Sequence, residues 1–275
     1  MTGAGGARFV PGRVGVVGLG LMGGSFAKAM HAAGREVLGW NRTSSTTELA
    51  LIETIDAVLD DDSIGSCELI VLAGYPQAAI DWLQEKAALV SPGAIVIDTV
   101  GVKRVICERC FAIAEGRPFT FVGCHPMAGT QHSGFAHSRA NMFRGAPMVV
   151  VPPPMDGFAR LDVLERLQAL LEPCGFGSYT LSTADHHDEV IAFTSQLAHV
   201  VSNAYVKSPT AQDHRGFSAG SYKDLTRVAR LNAPMWRELF LDDADHLSEE
   251  IGRIVQRLQK YKDALDARDG ERLED

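Results

Sequence analysis

The residues most able to do chemistry fall in four places. Gly18-x-Gly20-x-x-Gly23 lies between a short apolar run, Val14 to Val17, and an Ala-rich segment that ends at Gly34. Strand, tight Gly turn and helix in that order form a dinucleotide-binding turn. The first Gly permits the turn, the second lets backbone approach a pyrophosphate, and the third lets helix pack on strand. Leu21 and Met22 open the helix whose N–H groups and dipole would receive the phosphates. The next apolar segment, Glu36 to Trp40, is followed by Asn41-Arg42-Thr43 rather than by a carboxylate. No negative charge there repels a 2′-phosphate, and Arg42 can pair with one, so the reading favours NADP, with NAD as the other possibility. The alternative is that Arg42 is simply exposed and Asn41 takes the ribose hydroxyl. Further on, His125 sits in Gly123-Cys124-His125-Pro126-Met127-Ala128-Gly129-Thr130, directly after an expected strand. The carboxyl end of a parallel strand is where ligands bind. Ser195 and His199, spaced i, i+4, share one face of an expected helix, from which both can point into a cleft between domains.

These residues need a frame, and the spacing of apolar segments supplies one. Strands are expected near 69–73, 94–98, 119–123, 147–151 and 178–181, with helices over 76–90, 103–115 and 161–171. That alternation predicts a doubly wound, Rossmann-type α/β domain with a parallel sheet, over residues 1–182. From Asp185 the segments become long and helical, so residues 183–275 read as an all-α domain. Leu247, Ile251, Ile254, Leu258, Tyr261 and Leu265 step by 4, 3, 4, 3 and 4, the seam of a helix packed on a partner. The partner is either another helix of the same chain or a second subunit.

Composition narrows the class. The chain has 275 residues, 46% hydrophobic and 22% charged, enough to bury a full core. Lys and Arg number 26 against 34 Asp and Glu, a net charge of −8, so no electrostatic footprint for nucleic acid or an anionic membrane shows. No run of 18 apolar residues predicts a membrane span, and the small, Gly-rich start (Met1 to Gly12) does not read as a signal peptide. Five scattered cysteines fit reduced thiols and a cytoplasmic location. No metal site is expected. Cys107-x-x-Cys110 has no second pair, and in His186-His187-Asp188 adjacent side chains point apart on a helix.

His125-Pro126-Met127-Ala128-Gly129-Thr130 resembles the signature of the prephenate and arogenate dehydrogenases of tyrosine biosynthesis. Two segments agree: His187-Asp188 followed by Ser195-Gln196-Leu197-Ala198-His199, and Tyr222-Lys223-Asp224-Leu225-Thr226-Arg227. The resemblance spans roughly Val14 to Leu265. It implies hydride transfer from the hydroxyl-bearing carbon of prephenate to a nicotinamide, with loss of the ring carboxylate as CO₂. It implies that His125 takes or polarises the hydroxyl proton, a task suited to a neutral imidazole. It makes Arg227 the carboxylate-binding residue and gives Ser195 and His199 contact with substrate. Lys223 either assists or sits in a surface ion pair, and His187 is expected to orient the helix start. Prephenate or arogenate is the implied substrate and a homodimer the implied assembly, with residues 183–275 as the substrate-binding and dimerisation domain.

Two departures from the family pattern stand out. Gly101, in Asp98-Thr99-Val100-Gly101-Val102-Lys103, replaces a serine near the nicotinamide, so a water or another side chain must supply that hydrogen bond. Gln196 replaces a histidine, which opens a different substrate preference. The length leaves no room for an appended regulatory or mutase domain, and the chain reads as monofunctional. A β-hydroxyacid dehydrogenase is the nearest alternative, but its catalytic lysine has no counterpart between Asp185 and Val206. A non-catalytic dinucleotide sensor would need the Gly turn without His125 and Arg227.

Overall fold

The computed structural model describes residues 9–130, 132–214 and 216–274. The first eight residues of the Gly-rich start, which the signal-peptide reading concerns, lie outside the described residues. The chain divides into two compact units, Met1–His187 and Asp188–Asp275.

The first unit is built on one eight-stranded sheet of order β3-β2-β1-β4-β5-β6-β7-β8. Its strands are β1 (Val14–Val17), β2 (Val37–Trp40), β3 (Ala57–Val58), β4 (Leu69–Leu72), β5 (Ile95–Asp98), β6 (Thr120–Pro126), β7 (Pro147–Val151) and β8 (Ser178–Leu181). Strands β1, β4 and β5 are buried at every position, which is why they read as continuous apolar runs rather than alternating ones. The first six strands run parallel, and the order reverses between β1 and β4. Strand β7 departs from the all-parallel expectation and pairs antiparallel with β6. Among the described residues between them, 127–130 and 132–146, the only helical element is one short 3-10 turn, Phe135–His137, and an antiparallel pair needs no crossover helix. β8 is again parallel to β7, and α5 (Gly157–Leu171) lies between them in the chain. Its N-terminus is capped by Asp156, whose carboxylate accepts the Ala159 N–H at 2.9 Å.

Helices α1 (Leu21–Ala32), α2 (Ser44–Glu53), α3 (Pro76–Lys86) and α4 (Arg104–Ala114) complete the alternation. Sequence reading missed α2 and β3. α2 buries only Thr47 and Ala50, so it carries almost no apolar stripe, and β3 is two exposed residues long. Cys107 and Cys110 are buried on α4, two turns of an ordinary helix. The core is centred where α1 meets the sheet. Phe26 is fully buried and stacks at 4.3 Å, centroid to centroid, on Phe143, itself fully buried.

One continuous helical stretch carries the chain out of the first unit: α6 (Ala184–Ile191), a π turn over Ala192–Leu197, and α7 (Ala198–Val206). The second unit adds α8 (Gly220–Thr226), α9 (Ala233–Asp242), α10 (Ala244–Ala267) and α11 (Glu271–Glu274). The apolar seam of α10 divides along its length. Leu247 is buried and Ile251 and Ile254 half-buried, whereas Val255, Leu258, Tyr261 and Leu265 are all more than half exposed. Among the described residues, no helix is long and apolar enough to cross a membrane.

The burial of Phe26 makes it the most telling core position. Phe26→Ala should cost about 3–5 kcal/mol, read as a fall in the urea midpoint at unchanged m-value.

Candidate active site

Each glycine of the Gly18-Gly23 turn has a distinct reason in the structure. Gly18 holds φ +92°, and a Cβ there would lie 2.8 Å from the carbonyl oxygen of Ala73. At Gly23 a Cβ would lie 1.9 Å from the carbonyl oxygen of Gly18, so the first turn of α1 closes directly on the loop. At Gly20 a Cβ would meet nothing within 4 Å. Gly20 is therefore the position left open, where the backbone at the N-terminus of α1 can be approached by a ligand. The first turn of α1 has no acidic side chain, so its positive dipole end is unopposed by its own residues. Turn and helix end thus fit the pyrophosphate of a dinucleotide.

Asn41 follows β2 and braces this turn. Its Oδ1 accepts the Leu19 N–H at 3.0 Å and its Nδ2 donates to the Thr43 carbonyl at 3.3 Å. Sequence reading offered Asn41 a ribose hydroxyl and did not anticipate these bonds. Arg42 and Thr43 are exposed beside it, and Leu21 and Met22 are half-buried at the start of α1.

His125 and Gly101 follow the neighbouring strands of the same parallel set. His125 lies near the end of β6 and Gly101 in the loop after β5, so both share with the Gly turn the carboxyl edge of the sheet. That edge is organised by Asp98, the last residue of β5. Asp98 is fully buried, and its two oxygens accept from Cys124 N at 2.9 Å, from Val100 N at 2.9 Å and from the Lys103 ammonium, which is also fully buried. Lys103 donates as well to the Val102 carbonyl at 3.2 Å. One carboxylate therefore ties the 99–103 loop to the residue preceding His125. Sequence reading quoted Asp98 and Lys103 within a motif but gave them no task. Their spacing, an acid and a base five residues apart around an apolar loop, was the available signal.

His125 is half-buried, and its Nδ1 lies 2.8 Å from Nε2 of His187, on the first turns of α6. Burial, then the neighbouring His187 and the Lys103 charge, hold the His125 imidazole well below its usual pKa of 6.5. It is a neutral imidazole at physiological pH. His187, expected from the sequence to orient the helix start, is thus also in contact with His125.

The remaining expected site residues belong to the second unit. Ser195 lies within the π turn and His199 just after it, both half-buried. His199 donates from Nδ1 to the Val228 carbonyl at 2.8 Å and its ring packs 4.1 Å from Trp236. Arg227, exposed at the C-terminal end of α8, is near enough for its charge to act on His199. Burial first, and that charge second, hold His199 below its usual pKa, against the opposing effect of the Val228 bond. Lys223 is exposed. Gln196 is buried and donates at 3.0 Å to Asp243, whose other oxygen bonds His246 Nδ1 at 2.9 Å. Its amide thus braces the interior of the helical unit.

Comparison with known proteins gives this arrangement a family. The model of the prephenate dehydrogenase nucleotide-binding domain matches residues 26–177, and that of the prephenate dehydrogenase dimerization domain matches residues 183–275. The cyclohexadienyl dehydrogenase of Zymomonas mobilis is 26% identical over 94% of this chain and 90% of its own. The crystal structure of Synechocystis arogenate dehydrogenase is 28% identical with a TM-score of 0.77, over 93% of this chain and 92% of that one. The prephenate dehydrogenase of A. aeolicus, in complex with hydroxyphenyl propionate and NAD⁺, is 26% identical with a TM-score of 0.79, over 94% and 92%. Matched by both domain models along most of its length, the chain belongs to the prephenate dehydrogenase family of NAD(P)-dependent dehydrogenases.

Proposed function

We propose that the protein catalyses the oxidative decarboxylation of prephenate to 4-hydroxyphenylpyruvate in tyrosine biosynthesis, with His125 as its general base. The observation that carries this reading is a neutral, half-buried imidazole on the sheet edge that also bears a dinucleotide turn, in a chain of this family. NAD(P)⁺, when bound along Gly18, Gly20, Gly23 and α1, supplies the acceptor for the hydride leaving the hydroxyl-bearing carbon.

His125 does the proton work. Its Nδ1 is engaged by His187, so Nε2 is the nitrogen left to face the substrate hydroxyl. Loss of CO₂ from the ring leaves a phenolate oxygen, to which the same imidazole returns the proton, so no net proton is consumed. General-base assistance of this kind is worth about 10²–10⁴-fold. Arg227 supplies the fixed positive charge and a planar fork for a substrate carboxylate. Ser195 and His199 are the proposed substrate contacts, Ser195 through a hydroxyl that can donate to a carboxylate and His199 through a neutral ring whose Nδ1–H is spent on the Val228 carbonyl. Gly101 leaves room rather than a hydroxyl beside the nicotinamide. Arogenate is the second reading, favoured by the relatives named arogenate and cyclohexadienyl dehydrogenase.

Reduced cofactor formed from prephenate, with arogenate run in parallel, tests the reaction, and none with either substrate refutes it. His125→Asn should lower kcat by roughly 10²-fold or more with little change in cofactor affinity. Because a base works only when neutral and the free His125 pKa is depressed, the acidic limb of kcat/KM should lie below the ordinary imidazole value of 6.5.

NADP is the proposed preferred cofactor, supported by exposed Arg42 and the absence of a carboxylate in Asn41-Arg42-Thr43. A charge-assisted bond to the 2′-phosphate is worth about 1.5–3 kcal/mol, roughly 10–150-fold. Arg42→Ala should erase that preference in kcat/KM while leaving NAD efficiency unchanged, and a wild type that prefers NAD overturns it.

A homodimer through the helical unit is the proposed assembly, supported by the exposed stripe Val255, Leu258, Tyr261 and Leu265 and by the match to a dimerization domain. Sedimentation at micromolar concentration should give about twice the 29.7 kDa chain mass. Introducing Leu258→Glu should shift it toward the single-chain mass.

A further inference from the structure

The contact between His125 and His187 has a consequence for which proton His125 carries. The two rings lie 5.1 Å apart, centroid to centroid, and meet at 59°. The 2.8 Å between Nδ1 of His125 and Nε2 of His187 leaves no space for a bridging water, so one nitrogen carries the proton and the other its lone pair. If His125 donates, its Nε2 is bare and can act as a base. If His125 accepts, its Nε2 carries a proton and cannot.

His187 is held independently of His125. Only 3% of it is exposed, and its backbone N–H donates to the Thr183 carbonyl at 3.0 Å. The helix start is fixed further by Thr183 Oγ1, which accepts the His186 N–H at 3.2 Å, and by the Arg104–Asp185 pair at 3.7 Å. The charged and titratable groups acting on His125 are His187 from α6 and Lys103 from the loop before α4, with Asp98 of β5 paired to Lys103. Both His187 and Lys103 oppose a positive charge on His125, so His125 rests as a neutral ring.

We propose that His187 is a positioning residue that accepts the His125 Nδ1–H and thereby holds His125 in the tautomer whose Nε2 is the base. This rests on the reading of His125 as the general base. Nothing in the family signature quoted above assigns His187 that task. Its effect is on the orientation and protonation of another side chain, so it should appear in kcat rather than in substrate affinity.

The test uses the full-length protein with ¹⁵N-labelled histidine, the His125 signals being assigned by their loss in His125→Asn. Wild type should show a protonated Nδ1 and a bare Nε2 on His125 at neutral pH. His187→Leu removes the acceptor and should mix the two tautomers and lower kcat by roughly 10²-fold, with KM for prephenate within about 3-fold. His187→Gln keeps an amide oxygen that can accept and should recover kcat to within about 10-fold of wild type. A wild-type His125 protonated at Nε2 overturns the proposal, and so does His187→Leu with kcat within about 2-fold of wild type. If His187→Leu does not fold, the wild-type spectrum and His187→Gln decide alone. Near-normal turnover in His125→Asn would instead sink the base itself, an outcome distinct from an inactive His125→Asn beside an unaffected His187→Leu.

Discussion

The buried ion pair between Asp98 and Lys103 is the interaction on which the catalytic edge of the sheet depends. Neither side chain has any exposed surface. Two charges removed from water repay that cost only if their remaining hydrogen-bonding capacity is also used. Here it is, by Val100 N, Cys124 N and the Val102 carbonyl. The pair is a poor source of net stability, because a well-packed apolar pair would do as well. Its use lies in geometry: the carboxylate accepts in two directions, and so sets the 99–103 loop and the start of the His125 segment relative to each other. An apolar substitute would leave the loop and the strand end to find their own positions.

The dinucleotide turn solves a related problem with backbone instead of charge. Gly18 and Gly23 are compressed against Ala73 and against each other, so the turn has no slack. Asn41 then occupies the Leu19 N–H that the turn leaves over. Rigidity is concentrated on the two glycines that touch protein, and the one that touches nothing, Gly20, is free for the approach of a ligand. A pyrophosphate cradle needs both properties at once, because a turn that could relax would offer its N–H groups in no fixed direction.

The parts legible in the sequence were those with a local signature. Buried parallel strands such as Leu69–Leu72 and Ile95–Asp98 announce themselves as short apolar runs, and the Gly turn by its spacing. What escaped depended on partners far along the chain. α2 and β3 were missed because an edge element with two buried residues has no period to read. The antiparallel direction of β7 goes with the lack of a crossover helix among the described residues of 127–146, which composition does not declare. The π turn at Ala192–Leu197 has no composition or spacing that sets it apart from the helices on either side. His187 was read as part of a helix start, since nothing local ties it to a residue 62 positions earlier. The α10 seam admitted two partners on the sequence, and it packs within the unit at Leu247 while its C-terminal half stays exposed.

The electrostatics of the two units follow one pattern. His125 and His199 are each pushed toward the neutral form by burial, and each has a permanent cation acting on it, Lys103 in one unit and Arg227 in the other. Each ring also has one nitrogen engaged, by His187 and by the Val228 carbonyl respectively. For His199 the partner is a carbonyl, which can only accept, so Nδ1 carries the proton and Nε2 the lone pair. In the proposed reading Arg227 carries the permanent positive charge, while His125 and His199 stay uncharged. The division separates two demands that conflict in one side chain: a group that binds a carboxylate must hold its proton, and a group that removes a hydroxyl proton must lack one.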